Sequence, residues 1–404
     1  MGRLLLAYTL FLGTFLGVVW LQFDRLQLTA LEAVGMAPTA TPFASEYASR
    51  GYEKFLAGDL SGASSDYEMA VEQRSDDLDY LYEYGRMLIE LDRAEEAVAV
   101  ADQMIELSGT TDPRGYALKA KALWWQGGGK AAAAVPVAVS GLEIDPNFAP
   151  LYAARARAYT DIGRWQQGLA DGQRAVDLDP MDPDAHRAYA YALMWVGERD
   201  LAIEQLEMAI SLNPNFTPPY FELGLNYLAN NRDSMAIATY ERVLSMQPRN
   251  QKAHLRLCEA YFKIGRNDQA QGYCEDALGL EGQYTPQSNR QLGMVKYNRR
   301  NYEGAIESFD ECVSTGGTEI QCWYLRGLAH YYLGQCDDAW VTLEEALMRV
   351  SDPDDNPRPD SDPVVQAIRE GLRLTTVSCP RYSGQAVPTS LPPTSIPPTP
   401  IGGF

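Results

Sequence analysis

One phrase returns four times with its proline at a constant interval: LEIDPN at 142–147, VDLDPM at 176–181, ISLNPN at 210–215 and LSMQPR at 244–249. The four prolines, Pro146, Pro180, Pro214 and Pro248, are spaced by 34 residues. A fixed period of this length is typical of a solenoid, in which each repeat is one supersecondary unit. The period therefore predicts the fold more strongly than any single-residue motif does.

Other positions recur in phase within this period. Gly163, Gly197 and Gly265 share one slot, where glycine can take the left-handed conformation that ends a helix. The closing proline of each phrase prevents a second helix from continuing. A small residue fills a further slot, at Ala202, Ala236 and Ala270. The pattern predicts two antiparallel helices per repeat that approach closely at the alanine.

The unit Thr217 to Asn250 carries the fullest set of recurring residues: Tyr220, Leu223, Gly224, Tyr227, Ala236, Tyr240 and Pro248. This set resembles the tetratricopeptide repeat, whose pattern is W-x2-L-G-x2-Y, then A-x3-F, then P. The resemblance implies an all-α fold of helical hairpins stacked into a right-handed superhelix with a concave, partner-binding face. One subset of the family, the carboxylate-clamp proteins, has Lys and Asn at set positions of adjacent repeats, and this chain does not match that arrangement.

The repeat frame divides the chain into five parts. About nine units are expected over residues 44–350, followed by an acidic loop and a capping helix over 351–379. A membrane anchor or signal segment is expected at 1–25 and a linker at 26–43. The Pro/Thr/Ser-rich tail at 380–404 has the composition of a disordered segment. Pro136 is expected to kink or delay the second helix of the third unit.

The segment from Leu4 to Phe23 is uncharged and 20 residues long. At about 1.5 Å per residue, a helix of this length spans the roughly 30 Å hydrocarbon core of a bilayer. A cleaved signal peptide is the alternative, but its apolar core is typically only about 7 to 15 residues long. The weak positive bias of Arg3 and the amino terminus favours repeats on the outer side of a cell membrane.

Composition restricts the function classes. The 404-residue chain has a formal net charge of -20, which disfavours nucleic acid as a partner because phosphate binding uses clustered Lys and Arg. The sequence contains no HExxH, P-loop, GxSxG or dinucleotide-binding motif, so no enzyme activity and no cofactor are predicted. The histidines His186, His254 and His330 fall in packing slots of the repeat, and no metal site is expected.

Six cysteines occur, all between positions 258 and 379. The repeat frame brings them together as three pairs: Cys258 with Cys274, Cys312 with Cys322, and Cys336 with Cys379. Disulfides are expected if the compartment is oxidising, and six reduced buried thiols if it is not. A redox-active site is disfavoured because no CxxC pair is present.

The family resemblance also implies a set of partner-binding residues on the first helix of each unit: Tyr82, Arg86, Lys121, Trp124, Trp125, Arg157, Arg187, Tyr191, Trp195 and Phe221. Arg86, Lys121 and Arg157 share one slot in three successive units. This basic ladder beside aromatic residues indicates a groove for an extended acidic or aromatic segment of a protein partner. The alternative is a set of solvated helix faces that cover apolar surface. Asn215-Phe216-Thr217 also fits an N-glycosylation acceptor.

The leading interpretation is a membrane-anchored, non-catalytic tetratricopeptide-repeat scaffold that binds protein or peptide partners outside the cytoplasm. The alternatives are a glycan-binding accessory subunit of an envelope enzyme and a cytosol-facing adaptor. The sequence leaves the identity of the partner and the oligomeric state open.

Overall fold

The computed structural model describes residues 42–109, 111–280, 282–351 and 357–387. These residues form nineteen α-helices and one short 3-10 helix, and they contain no β-strand. No helix among them is long and apolar enough to cross a membrane. The predicted membrane segment Leu4 to Phe23, most of the predicted linker, residues 352–356 at the start of the acidic loop, and residues 388–404 lie outside the described residues.

The helices follow one another in regular succession along the chain. The first eight are α1 (Ala44–Leu56), α2 (Leu60–Gln73), α3 (Leu78–Glu90), α4 (Ala94–Ser108), α5 (Arg114–Trp125), α6 (Ala131–Ile144), α7 (Ala149–Asp161) and α8 (Trp165–Leu178). The next six are α9 (Pro183–Val196), α10 (Arg199–Leu212), α11 (Pro218–Ala229), α12 (Asp233–Met246), α13 (Gln251–Lys263) and α14 (Asn267–Leu278). The last five are α15 (Thr285–Asn298), α16 (Tyr302–Ser314), α17 (Gln321–Tyr332), α18 (Cys336–Ser351) and α19 (Pro363–Ser378).

Helices α1 to α18 pair in order as nine hairpins, numbered 1 to 9, and α19 packs against α18 and α17. Each hairpin packs on the next, as expected for a solenoid whose units contact their neighbours. The alanines of the shared slot, including Ala202, Ala236 and Ala270, are fully buried between the helices. Pro146, Pro180, Pro214 and Pro248 lie in the connections between hairpins.

A glycine facing an aromatic ring sets the close packing inside a hairpin. A Cβ atom added to Gly224 would lie 2.3 Å from Tyr240 Cε1, so no larger residue fits there without moving the ring. Gly293 meets Phe309 in the same way, at 2.5 Å. The resulting contact buries Tyr240 and Phe309 completely. The glycine is therefore required by helix proximity rather than by backbone conformation.

In hairpin 7 the same two slots hold Cys258 and Cys274, which form a disulfide across the hairpin. A second disulfide joins Cys312, in α16, to Cys322, in α17, and so links hairpins 8 and 9. The third ties Cys336, the first residue of α18, to Cys379, which follows α19. The structure thus joins the three cysteine pairs that the repeat frame predicts, and no cysteine remains free.

Two details differ from the sequence-based expectation. Helix α6 begins at Ala131, so Pro136 does not delay it; the buried alanines Ala134 and Ala138 hold the helix against its neighbours despite the missing N–H. The predicted disordered tail is packed at its start. Tyr382 stacks on Trp340 with ring centroids 4.9 Å apart, and Val387 also packs on the core of hairpin 9.

The array curves until its first hairpin meets the connection between hairpins 5 and 6. The Asn215 side chain donates a hydrogen bond to the Leu56 carbonyl oxygen at 3.1 Å, across 159 residues of sequence. Phe55 and Phe216 pack with ring centroids 5.6 Å apart. The N-glycosylation motif at Asn215 is consequently not accessible in this contact, because the Asn215 amide is hydrogen-bonded and Thr217 is buried.

Two further contacts extend this closure. Gln247, after α12, donates a hydrogen bond to the Gly58 carbonyl oxygen at 2.8 Å. Asp92, in the turn of hairpin 2, accepts hydrogen bonds from the side chains of Gln283 and Tyr284, which precede α15. Hairpins 1 and 2 therefore close on the connections that flank hairpins 6 and 7, and the inner face of the array is enclosed.

Gly58 gives a direct test of the closure. It has a positive φ of 83°, and an added Cβ would lie 2.3 Å from the Asn215 carbonyl oxygen. We expect Gly58→Ala to open the contact, which will appear as faster hydrogen exchange of backbone amides in α1 and in the turn before α11. Gly163→Ala is the matched control, since Gly163 has a φ of 78° and nothing within 4 Å of its added Cβ.

Both substitutions carry a similar backbone cost, about 1–2 kcal/mol for a non-glycine residue in the left-handed region. Only Gly58→Ala adds the clash across the closure. Equal exchange in the two variants at α1 and before α11 would show that the contact does not hold the first hairpin in place.

Candidate functional site

The enclosed face carries a group of charged side chains that we call the lumen network, which consists of Glu90, Lys121, Arg157, Asp184, Arg187 and Glu222. They come from five helices, α3, α5, α7, α9 and α11, which are the first helices of hairpins 2 to 6. The curvature of the array brings these helices to one interior. The three cations belong to the predicted binding set, and the three carboxylates were not singled out from the sequence.

Arg187 lies at the centre of the lumen network and is only 2% exposed. Its Nη2 lies 2.6 Å from Glu222 Oε1, and its Nε donates to the same carboxylate at 3.0 Å. Its Nη1 lies 3.1 Å from Glu90 Oε1, a contact that spans 97 residues of sequence. The guanidinium therefore connects hairpins 2, 5 and 6 through three of its donors.

Asp184, in the first turn of α9, forms ion pairs with the two remaining cations, Arg157 and Lys121. Arg157 donates two hydrogen bonds to its carboxylate, at 2.8 and 3.1 Å. Lys121 Nζ lies 3.1 Å from Asp184 Oδ1 and 3.0 Å from Glu90 Oε1. Each buried charge of the lumen network is thus paired, as burial of charged groups requires.

The electrostatics of the carboxylates follow from this pairing. Burial alone would raise the pKa of Glu90, but Arg187 and Lys121 outweigh it and lower the pKa to about 2. The pKa of Asp184 is also held well below its usual value, because Arg157, Lys121 and Arg187 outweigh its burial. For Asp182, burial and the nearby Asp184 outweigh the opposing effect of Arg86 and Lys121 and raise the pKa.

Two members of the predicted basic ladder, Lys121 and Arg157, therefore do not face an open groove. Arg157 is 2% exposed, and the Lys121 side chain is 12% exposed. Closure of the array buries both residues and supplies their carboxylate partners from neighbouring hairpins. Sequence reasoning missed both partners of Arg187: Glu222 lies 35 residues away in the next hairpin, whereas Glu90 lies 97 residues away and its contact depends on the curvature of several hairpins.

Arg86, the first member of the predicted ladder, has a different environment. Its Nη1 donates to Glu83 at 2.9 and 3.0 Å, and its guanidinium lies 5.9 Å from the ring centroid of Tyr82 and 5.7 Å from that of Phe55. Tyr82 and Arg86 line a cavity of about 580 Å³ together with Asp182. These two residues remain next to open space.

Four of the predicted aromatic residues form a cluster at the ends of α5 and α9. Trp124 contacts Trp125 and Tyr191 edge-on, with each pair of ring centroids 5.5 Å apart, and Trp195 follows Tyr191 at 6.5 Å. Trp195 is half exposed. The Trp124 and Trp125 indoles donate to Asp161 and Asp92, both at 2.8 Å. The cluster forms an edge of the interior in which two of the three indole N–H groups already donate to carboxylates.

Phe221, the last of the predicted residues, is buried and lines a second cavity of about 700 Å³. This cavity lies between the turns of hairpins 1 and 2 on one side and hairpins 6 and 7 on the other. The histidines lie elsewhere and contact their own repeats: His186 contacts Gln205 and the Pro180 carbonyl oxygen, and His254 the Pro248 carbonyl oxygen. His330 contacts Gln335.

Comparisons with known proteins agree with this architecture. Family profiles described as tetratricopeptide repeat match residues 50–110 and 228–286. The TPR repeat-containing protein YpiA of Bacillus subtilis is 24% identical over 194 residues, which cover 48% of this chain and 45% of that protein. The chain carries tetratricopeptide repeats. The repeats outside these two segments are identified by their hairpin geometry.

Two more comparisons extend the match. The human mitochondrial import receptor subunit TOM70 is 27% identical over 209 residues, covering 49% of this chain and 34% of that protein. The human IFIT1 dimer with m7Gppp-AAAA has a TM-score of 0.55 at 14% identity and covers 89% of this chain and 87% of the other, which shows a shared fold. The chain spans less than half the length of YpiA and TOM70.

Removal of one lumen carboxylate tests the network. We expect Glu90→Gln to lower the free energy of unfolding by about 3 kcal/mol at pH 7, because Arg187 and Lys121 lose a buried counter-charge. The folded pKa of Glu90 is about 2, below its ordinary 4.5, so the stabilisation is present above about pH 4.5 and is lost as the pH falls toward 2. The variant should therefore show a weaker pH dependence in that range.

Urea unfolding followed by circular dichroism at a series of pH values measures both effects. Glu96→Gln is the control, because the ion pair of Glu96 with Arg93 is exposed and its loss should cost less than about 1 kcal/mol. Equal losses of stability in the two variants would contradict a structural role for the lumen network.

Proposed function

We propose that this protein is a membrane-anchored, non-catalytic scaffold that binds protein or peptide partners on the outer side of a cell membrane. The enclosed interior carries the proposal, because hairpins 1 to 7 surround cavities of about 700 and 580 Å³. These volumes fall in the range of ligand sites, about 300–1,000 Å³. TOM70 is named an import receptor, and a receptor role for repeats of this kind agrees with partner recognition.

The charged interior supports a binding role over catalysis. Glu90, Asp184 and Arg187 are held by one another in ion pairs that fix the hairpins. A catalytic acid or base must instead exchange protons near neutral pH, whereas the pKa values of Glu90 and Asp184 are held low. Their arrangement is that of a rigid frame around the cavities.

The net charge of -20 supports protein rather than nucleic acid as the partner class. This chain shares only its fold with the human IFIT1 dimer, so the m7Gppp-AAAA in that structure gives no support for RNA binding by this chain. A glycan partner at the aromatic cluster has weaker support, because the Trp124 and Trp125 indoles donate to carboxylates of the protein itself.

Two observations support the proposed location of the repeats on the outer side of a membrane. The segment from Leu4 to Phe23 has the length and composition of a membrane-spanning helix. The three disulfide pairings of the structure favour an oxidising compartment, where such bonds persist. Together they support an anchor with the repeats on its outer side.

Mass spectrometry of non-reduced, thiol-blocked protein from its native membrane fraction tests the proposal. We expect an intact N-terminal peptide containing Leu4 to Phe23 and three linked cysteine pairs, 258–274, 312–322 and 336–379. Because the pairs are formed by neighbouring elements, scrambled linkages should be absent.

Six blocked thiols would contradict the outer location and favour a cytosol-facing adaptor. An N-terminus that begins after residue 25 would contradict the anchor and indicate a cleaved signal peptide. The same sample treated with reductant before blocking is the control, since it must give six modified cysteines.

A further inference from the structure

Four tyrosines form a cluster at the turns of hairpins 8 and 9, which we call the tyrosine ridge: Tyr297, Tyr302, Tyr331 and Tyr332. Tyr302 and Tyr332 are stacked, with ring centroids 4.8 Å apart and ring planes inclined by 13°. Tyr297 contacts both rings edge-on, at 5.5 and 6.2 Å, and Tyr331 contacts Tyr332 at 5.4 Å. The tyrosine ridge does not line the cavities of about 700 and 580 Å³.

The fold leaves part of the tyrosine ridge uncovered. Tyr332, the last residue of α17, is 53% exposed, and the other three rings are partly buried. Tyr297 lies in the last turn of α15 and Tyr302 begins α16, so the ridge crosses from one hairpin to the next. Stacked rings that still face water form an apolar surface that a partner can cover.

The chain that follows α19 starts beside the tyrosine ridge. The Tyr331 hydroxyl lies 3.1 Å from the Oγ of Ser378, the last residue of α19. The next residue, Cys379, is tied by its disulfide to Cys336 at the start of α18. Residue 388 follows Ser378 by ten residues, so it lies at most about 35 Å from it.

Residues 388–400 have the composition of a polyproline II segment. Six of these 13 residues are proline, and none is charged. The sequence SLPPT at 390–394 is followed directly by SIPPT at 395–399. At about 3.1 Å per residue, a polyproline II segment of this length extends about 40 Å. It is therefore long enough to reach the tyrosine ridge.

The chemistry of this segment suits a surface made of tyrosines. Polyproline II peptides bind surfaces lined with aromatic rings, and their backbone carbonyl oxygens remain free to accept hydrogen bonds. Tyrosine supplies both a ring and an O–H donor. With three residues per turn, one side of the helix carries Pro388, Leu391, Thr394, Pro397 and Pro400. An uncharged segment also avoids repulsion by a chain whose net charge is -20.

We propose that residues 388–400 bind across the tyrosine ridge of the same molecule as a polyproline II helix. Their apolar side would pack on Tyr302 and Tyr332, and the ridge would be a proline-recognition surface outside the enclosed interior. The connection to α19 favours this occupant over a separate peptide, because a short tether gives an effective concentration in about the millimolar range.

Pulsed electron paramagnetic resonance on the full chain in detergent micelles tests the contact. Spin labels are attached through an unnatural ketone-bearing amino acid at Ser395, in the middle of the segment, and at Glu303, an exposed position next to Tyr302. We expect one narrow distribution of distances at short range. Dilution with a large excess of unlabelled chain should leave it unchanged, since the contact is intramolecular.

Two sets of substitutions should convert the narrow distribution into a broad one that extends to longer distances. Replacement of the four prolines at 392–393 and 397–398 by alanine removes the preference for polyproline II. Tyr302→Ser combined with Tyr332→Ser removes the stacked rings. Tyr52→Ser is the matched control and should keep the narrow distribution, because Tyr52 is 55% exposed, much as Tyr332 is, and lies in hairpin 1.

A broad distribution in the unchanged chain, or a narrow one that survives either set of substitutions, would overturn the proposal. Loss of the short distances on dilution would show that the segment binds a second copy of the chain, and would overturn it as well. Circular dichroism establishes that the tyrosine variant remains folded. The proline variant decides the matter independently, since its substitutions lie outside the helical hairpins.

Discussion

The ion pairs of Arg187 are the interaction on which the enclosed architecture depends. A guanidinium that is 2% exposed needs a buried counter-charge, and the buried carboxylate of Glu90 comes from α3, so the pairing requires that hairpin 2 approach hairpin 5. The Phe216 ring lies 5.3 Å from the same guanidinium and also packs on Phe55. Charge pairing and ring packing therefore both stabilise the closed form of the array.

The two ends of the array are stabilised in different ways. Terminal repeats of a solenoid have a neighbour on one side only and are expected to fray. Hairpin 1 gains a second set of contacts at Asn215 and Gln247. At the other end, α19 covers hairpin 9, and the disulfide of Cys336 and Cys379 fixes it there. A disulfide typically contributes about 2–4 kcal/mol. The enclosed interior consequently has a rigid frame, which lowers the entropy cost of binding.

Sequence alone predicts what lies within one repeat. The 34-residue period gives the hairpins, and placing Cys258 and Cys274 on the slots of Gly224 and Tyr240 gives their pairing, because those slots face each other in every unit. The closure of the array, in contrast, cannot be predicted from a single repeat. Arg187 and Glu90 are 97 residues apart, and Asn215 and Leu56 are 159 apart, so their contact depends on small rotations accumulated over several hairpins. Two members of the predicted basic ladder, Lys121 and Arg157, are buried and paired with carboxylates of other hairpins, which the sequence did not indicate.

A distance measurement between the two sides of the closure tests the central claim most directly. Spin labels can be attached through an unnatural ketone-bearing amino acid at Glu53 and Arg249, two exposed positions near Gly58 and Gln247, without disturbing the cysteines. Pulsed electron paramagnetic resonance then gives the distribution of distances. The closed array predicts one narrow distribution at short distance, whereas a broad distribution extending to long distances would show that the first hairpin does not close on hairpins 6 and 7.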